Sequence, residues 1–113
     1  MNRFALAAAA SFAVSACGSQ TPQQQHAEQL RDQADAQADA IEAAADNQTA
    51  QMKVESEQLL NQAGQNGDYD AQRLKVRAEA IREEAKLVEQ QAEARAKAVR
   101  DAGEAQASAA LAK

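Results

Sequence analysis

An apolar residue recurs every 11 positions along the first half of the chain, and this spacing limits the folds that the chain can adopt. The series is Leu30, Ile41, Met52 and Ala63. Eleven residues complete three turns at about 3.67 residues per turn, so the series forms a nearly straight stripe on one face of an α-helix. The spacing predicts one helix over residues 22–63, in which residues 46–49 are the weakest point.

The start of this helix carries its own signals. Thr21 suits the N-cap position and Pro22 the first helical position, while Gln24 suits the partner position of a capping box. At the far end, residues 64–69 form a predicted turn. Gly64 is expected in the left-handed C′ conformation, and a cap for the next helix is expected from Asp68 or Asp70.

A second helix is predicted over residues 70–113. Its apolar stripe is Leu74, Ala78, Ile81, Ala85, Val88, Ala92, Ala96, Val99, Gly103 and Ala107. The opposite face is charged, as is usual for a solvated face. Tyr69, at the bend before this helix, is predicted to pack over the hairpin tip because buried tyrosines combine packing with one hydrogen bond. The alternative is that Tyr69 contacts a partner.

Composition supports helices over other folds. The chain has 31 alanines among 113 residues, only 3% aromatic residues and no tryptophan. Large apolar residues are therefore too few for a globular core or a sheet sandwich, whereas alanine with straight-chain polar residues favours long helices. Low hydrophobicity leaves disorder as an alternative. We predict an all-α fold, an antiparallel two-helix hairpin of coiled-coil type.

The two stripes also suggest a register for the hairpin. Facing Leu59 with Leu74 also faces Ala34 with Val99 and Met52 with Ile81. The residues expected to carry the packing are Leu59, Met52, Ile81, Ala85 and Val88. Helix one is acidic and helix two is balanced in charge, so Asp32, Asp35 and Asp39 are expected near Arg95, Lys97 and Arg100. Such exposed ion pairs select a register more than they stabilise it.

A lone hairpin with an alanine seam buries little large apolar surface, and small cores are marginal. We therefore expect self-association as a dimer or binding of an envelope protein. Val76, Leu87 and Ala94 lie off the main stripe, either as a second contact face or as scattered surface residues. The acidic balance argues against nucleic acid as a partner.

The N-terminus has the layout of a secretory signal. Arg3 gives a positive start, an apolar run of 11 residues follows over 4–14, and small residues precede the sole cysteine. The run is too short for a transmembrane helix, which needs about 20 residues. Plain secretion with cleavage after Ala16 is the other alternative. Residues 1–16 are thus expected to be removed.

Val14, Ser15, Ala16 and Cys17 resemble the lipobox of bacterial lipoproteins. The resemblance implies cleavage before Cys17, S-linked diacylglycerol on its sulfur and an acyl group on its new amino group. Residues 17–21 would then be a lipidated cysteine with a short tether. Because Gly18, not aspartate, follows the cysteine, the resemblance further implies the periplasmic face of the outer membrane.

The remaining features point away from catalysis. His26 has no further nitrogen or sulfur ligands near it for a metal, and we interpret it as a solvated helix residue. No nucleophile with an acid–base partner and no phosphate-binding loop is recognisable. We expect neither catalytic residues nor a cofactor besides the lipid. A lysis or envelope-stress role on membranes is disfavoured, because membrane-active helices are usually basic on their polar face.

Lys113 supports an alternative function. Together with the lipobox and the long alanine-rich helices, it resembles the terminal lysine that Braun-type murein lipoproteins join to peptidoglycan. That resemblance implies an envelope tether with Lys113 as the attachment point. A hairpin would instead return Lys113 toward the anchored membrane. The first hypothesis is therefore a lipid-anchored helical hairpin with a structural or interaction role, and the tether is the second.

Overall fold

A computed structural model describes residues 18–113, which form two long α-helices packed against each other. Helix α1 spans Pro22–Ala63 and helix α2 spans Asp68–Leu111. The predicted all-α, antiparallel hairpin is confirmed. At about 1.5 Å per residue, the helices are roughly 63 Å and 66 Å long. Helix α1 continues without interruption through residues 46–49.

The start of α1 is fixed by the predicted capping box. The Gln24 amide donates to Thr21 Oγ1 at 3.2 Å, and the Thr21 amide donates to Gln24 Oε1 at 2.9 Å. Pro22 occupies the first turn, where a missing amide hydrogen costs nothing. These contacts fix the first residue of α1, Pro22, five positions after residue 17.

The bend is tighter than predicted, and two of its predicted details are wrong. Gly64 is right-handed, at φ −67° and ψ −13°, because the last turn of α1 tightens instead of reversing. The Gln65 amide donates to Gln62 O at 3.0 Å, and Asn66 Nδ2 donates to the same oxygen at 2.9 Å. These two donors satisfy the Gln62 carbonyl at the end of α1. In a helix that ends with a left-handed residue, a backbone amide after the helix would donate to such a carbonyl.

The start of α2 also differs from the prediction. Its N-cap is Gly67, so α2 begins at Asp68, and neither predicted aspartate is the cap. Asp68 and Asp70 lie in the first turn, where their negative charge is favoured by the helix dipole.

The seam between the helices is lined by small residues. Those buried on α1 are Ala27, Ala34, Ala38, Ala45, Thr49, Ser56 and Ala63. Those buried on α2 are Ala78, Ala85, Ala92, Ala96, Gly103 and Ala107. The large residues of the stripes are only half-buried and flank them. Of the five residues expected to carry the packing, Ala85 is buried as predicted, whereas the four large ones are half-buried beside the seam.

The register of the seam is displaced by four residues from the predicted one. Position 103 lies against Ala34, so closely that a Cβ built on Gly103 would overlap the Ala34 Cβ and lie 3.4 Å from Leu30 O. At the open end, Gln23 Nε2 donates to Lys113 O at 2.9 Å, which fits the same register. Ala34 therefore faces Gly103, whereas Val99 was predicted there.

Size complementarity explains this register. Extending the Ala34–Gly103 pairing along two antiparallel helices places Leu59 opposite Ala78, Met52 opposite Ala85 and Ile81 opposite Ser56. The predicted register instead faced Leu59 with Leu74 and Met52 with Ile81. Alternating large and small residues across a seam brings the backbones close while filling space, and the observed register places a large residue opposite a small one at these three positions.

Candidate functional site

The most polar feature between the helices is an ion-pair cluster around Arg100. Its guanidinium contacts Asp39 Oδ1 at 2.9 Å, Glu42 Oε1 at 2.9 Å and Asp35 Oδ1 at 3.7 Å. The contact with the two aspartates was predicted and that with Glu42 was not. Of the other predicted partners, Lys97 instead pairs with Asp101 on its own helix.

This cluster shifts the titration of its members. The hydrogen bond from Arg100, with its charge, lowers the pKa of the Glu42 carboxyl below its ordinary 4.5, against the opposing effect of desolvation. The hydrogen bond to Glu42 in turn raises the pKa of Arg100. The side chains remain partly open to water, so the cluster mainly selects the pairing of the helices.

A second ion pair lies nearer the open end. Arg31 Nε donates to Glu104 Oε2 at 2.7 Å, and Arg31 Nη2 donates to Glu104 Oε1 at 3.0 Å. This two-pronged geometry is the strong form of an arginine–carboxylate contact. Its hydrogen bond raises the pKa of Arg31 and lowers that of Glu104. The pair adds directional contacts to the register set by Ala34 and Gly103.

The face of α2 that points away from α1 is exposed and partly apolar. Its large members are Val76 and Leu87, 64% and 56% exposed, with Tyr69 seven residues, about two turns, further toward the tip. We define the outer stripe of α2 as Tyr69, Val76, Leu87, Ala94, Ala98 and Ala105. Successive members are 4, 7 or 11 residues apart, so all lie on one helix face.

Tyr69 is not the packing residue that was predicted. It is 78% exposed, because α2 begins at Asp68 and carries its first turn outward past the bend. Its ring borders a shallow groove at the tip with Gln62, Arg73 and Arg77. Tyr69 is thus available for contact with another molecule.

The outer face of α1 is different. Val54, 53% exposed, is its only large apolar residue among those of the described chain that are exposed. Its neighbours on that face include Asn47 and Asn61. Val54 is therefore a single large apolar residue on a face whose other exposed apolar members, such as Ala43, are small, and single exposed apolar residues are normal. The contrast singles out α2 as the helix with a candidate interaction face.

The other predicted site residues fall into two groups. Val14, Ser15, Ala16 and Cys17 lie outside the described residues. Lys113 lies at the open end of the hairpin, beside Gln23. In residues 18–113, no three acidic, histidine or cysteine side chains come together as a metal site. Within the same range, neither helix is long and apolar enough to cross a membrane.

Sequence reasoning missed Ser56 and the approach of Gly103 to Ala34. Ser56 is fully buried, and its Oγ is the one buried side-chain oxygen without a hydrogen-bond partner in the described part of the chain. The 11-residue spacing could have located it, since it follows Ala34 and Ala45 at that interval.

Comparisons of the chain with protein-family models, with curated proteins and with solved structures gave no match.

Proposed function

We propose that this chain is a lipid-anchored, non-catalytic helical hairpin on the periplasmic face of the bacterial outer membrane, where it has a structural or protein-interaction role. In this proposal Cys17 carries the S-linked diacylglycerol and the N-linked acyl chain. Each buried methylene contributes about 0.8 kcal/mol, so several acyl chains hold a protein firmly at a membrane. The lipobox-like residues 14–17 support the anchor.

The observation that carries the interaction role is the exposure of the outer stripe of α2. The seam faces of both helices are occupied by each other, so they are closed to partners. Val76 and Leu87 are nevertheless more than half exposed on the opposite face of α2. Apolar side chains aligned on one exposed face favour contact with another protein.

The geometry also bears on the alternative tether. Lys113 lies beside Gln23, at the same end of the hairpin as the proposed anchor. A link to peptidoglycan from this position would start close to the anchored membrane rather than one helix length away. The hairpin therefore favours an interaction role over a tether through Lys113.

The anchor is tested by mass spectrometry of the N-terminal peptide from the protein isolated from bacterial membranes. The expected result is a peptide that begins at residue 17 and carries acyl mass. Cys17→Ser should release the chain from the membrane fraction. An unmodified thiol at Cys17 would overturn the anchor.

The interaction role is tested by photo-cross-linking in cells from residue 87, with residue 54 as a matched control of similar exposure. Covalent adducts from 87 but not from 54 are expected, and equal absence from both would contradict the role. The alternative, a peptidoglycan tether through Lys113, is tested with muramidase digests of peptidoglycan. Lys113 peptides joined to muropeptides would establish the tether instead.

A further inference from the structure

The outer stripe of α2 divides into a part with large side chains and a part with small ones. Tyr69, Val76 and Leu87 lie toward the tip, and Ala94, Ala98 and Ala105 lie toward the open end. All six are exposed in the hairpin. The large residues of the stripe thus occupy one half and the small residues the other. A second copy running in the opposite direction would place its small residues against the large ones, and its large residues against the small ones.

The spacing fits such a pairing closely. Placing Leu87 against Ala94 of the second copy also places Val76 against Ala105 and Tyr69 against Ala112, because one number falls as the other rises in antiparallel helices. Ala98 then lies opposite Glu83. Each contact then occurs twice, related by a two-fold axis between residues 90 and 91. Inside the hairpin, the register that Gly103 and Ala34 set also places large residues opposite small ones, such as Met52 opposite Ala85.

Charge gives an independent argument for this register. In antiparallel helices, side chains on the same flank of the contact face each other. The pairing brings Lys86 beside Glu93 and Glu83 beside Lys97 on one flank, and Glu84 beside Arg95 on the other. Like charges also meet on the first flank, Glu79 with Asp101 and Glu104, and Lys86 with Lys97; Asp101 already bonds Lys97 in the hairpin. Complementary charges of this kind fix orientation and register.

The parallel arrangement lacks both kinds of complementarity. It would place each stripe residue against its own copy, so that Leu87 meets Leu87 and Ala94 meets Ala94. It would also bring Glu79 beside Glu84 across the contact, with repulsion between like charges. Shifting the antiparallel pair by one turn, so that Leu87 meets Ala98, brings Glu83 beside Asp101 and moves the three opposite-charge pairs about one turn further apart.

We propose that the outer stripe of α2 is a self-association surface on which a second copy of this chain docks antiparallel, giving a four-helix assembly. This names a partner for the interaction surface proposed above and rests on that proposal. The open ends of the two hairpins then lie about one helix length, roughly 65 Å, apart. Two copies anchored in one membrane can pair this way only when their long axes run along its surface.

The first test measures the oligomeric state of the full chain carrying Cys17→Ser, in a mild detergent, by sedimentation equilibrium. A reversible dimer is expected, with a Kd below about 1 mM. Leu87→Glu should weaken it at least tenfold, whereas Val54→Glu, equally exposed on α1, should not change it. A single-chain mass at every concentration up to about 1 mM would overturn the proposal.

The second test addresses register by exchanging charges. Lys86→Glu and Glu93→Lys should each weaken the dimer about tenfold, since each creates two like-charge contacts across the axis. The double variant restores opposite charges and should recover the affinity of the parent chain. Additive losses in the double variant would overturn the register.

Orientation is tested by disulfide trapping in the same Cys17→Ser background. Gln91→Cys lies next to the two-fold axis and should cross-link readily under mild oxidation. Gln72→Cys should not, because the two copies of that residue would be roughly 55 Å apart. Cross-linking through residue 72 alone would mean a parallel dimer and contradict the proposal.

A monomeric chain that still cross-links to envelope proteins from residue 87 would refute self-association while leaving the proposed interaction role intact.

Discussion

Replacing Gly103 by alanine tests the closest contact in the hairpin. Alanine is favoured over glycine inside a helix by about 1 kcal/mol, so propensity alone would stabilise α2. The new methyl would overlap Ala34 Cβ and press on Leu30 O at 3.4 Å. Both neighbours belong to a rigid helix and have no flexible side chain that could move aside. Overpacking of this kind costs about 1–3 kcal/mol, so the expected net loss is about 1 kcal/mol.

The assay is thermal unfolding followed by circular dichroism at 222 nm. For a domain of this size, a loss of 1 kcal/mol lowers Tm by about 4–8 °C. Gly64→Ala is the matched control, because Gly64 is right-handed and an added Cβ would lie at an ordinary 3.5 Å from Asn61 O. That control is expected to raise Tm slightly, by reducing the freedom of the unfolded chain.

A double-mutant cycle separates the clash from general effects of the substitution. Ala34→Gly alone should destabilise, since it places a glycine inside α1. Combined with Gly103→Ala, it moves the methyl from one helix to the other and should recover stability, with a coupling of about 1–2 kcal/mol. A Gly103→Ala variant that is more stable than the parent chain, with no coupling to position 34, would refute the register described here.

Three further substitutions probe other parts of the hairpin. Ser56→Ala removes a buried hydroxyl without a partner and should raise stability by about 1 kcal/mol in urea unfolding; a loss would mean that the hydroxyl is satisfied. Glu42 has a lowered pKa, so its contribution is present above pH 4.5 and lost as pH falls through the folded-state pKa. The Tm difference between the parent chain and Arg100→Ala should therefore shrink between pH 7 and pH 3, and a constant difference would contradict the ion pair. Tyr69→Ala should change Tm by no more than about 2–4 °C, because exposed substitutions usually lie within about 0.5 kcal/mol; a larger fall would mean that Tyr69 packs after all.

The helices were predictable because their signals are local or periodic. The capping box at Thr21 and the 11-residue series through Met52 depend only on residues close in sequence. The register was not predictable in the same way, since both stripes share one period and any shift by a turn keeps apolar faces together. What decides it is the approach of Gly103 to Ala34, which depends on the shapes of two helices at once.

The candidate interaction face was likewise predictable from the sequence in some parts and not in others. The exposure of Val76 and Leu87 follows from their place off the main stripe, and Ala94 was grouped with them from the sequence. Tyr69 was assigned to the wrong environment because the start of α2 decides whether it points inward or outward. Because α2 already includes Tyr69, the ring lies on the same face as Val76, seven residues on, whereas a residue ahead of the helix is not held to that face. Local signals do not fix helix ends to within one or two residues.

The size of the seam residues links the stability of the hairpin to its assembly. Alanine and serine bury little apolar area each, so the seam gains mainly from continuous close contact along about 60 Å of helix. A hairpin of this kind is stabilised by any partner that binds only its folded form, in proportion to the logarithm of that partner's concentration over its Kd. Docking of a second copy on the outer stripe would require α2 to be straight and helical throughout, which is the state that packing against α1 also requires. Mutations in the seam and on the outer stripe should therefore influence each other through the folded fraction of α2, even though the two faces share no contact.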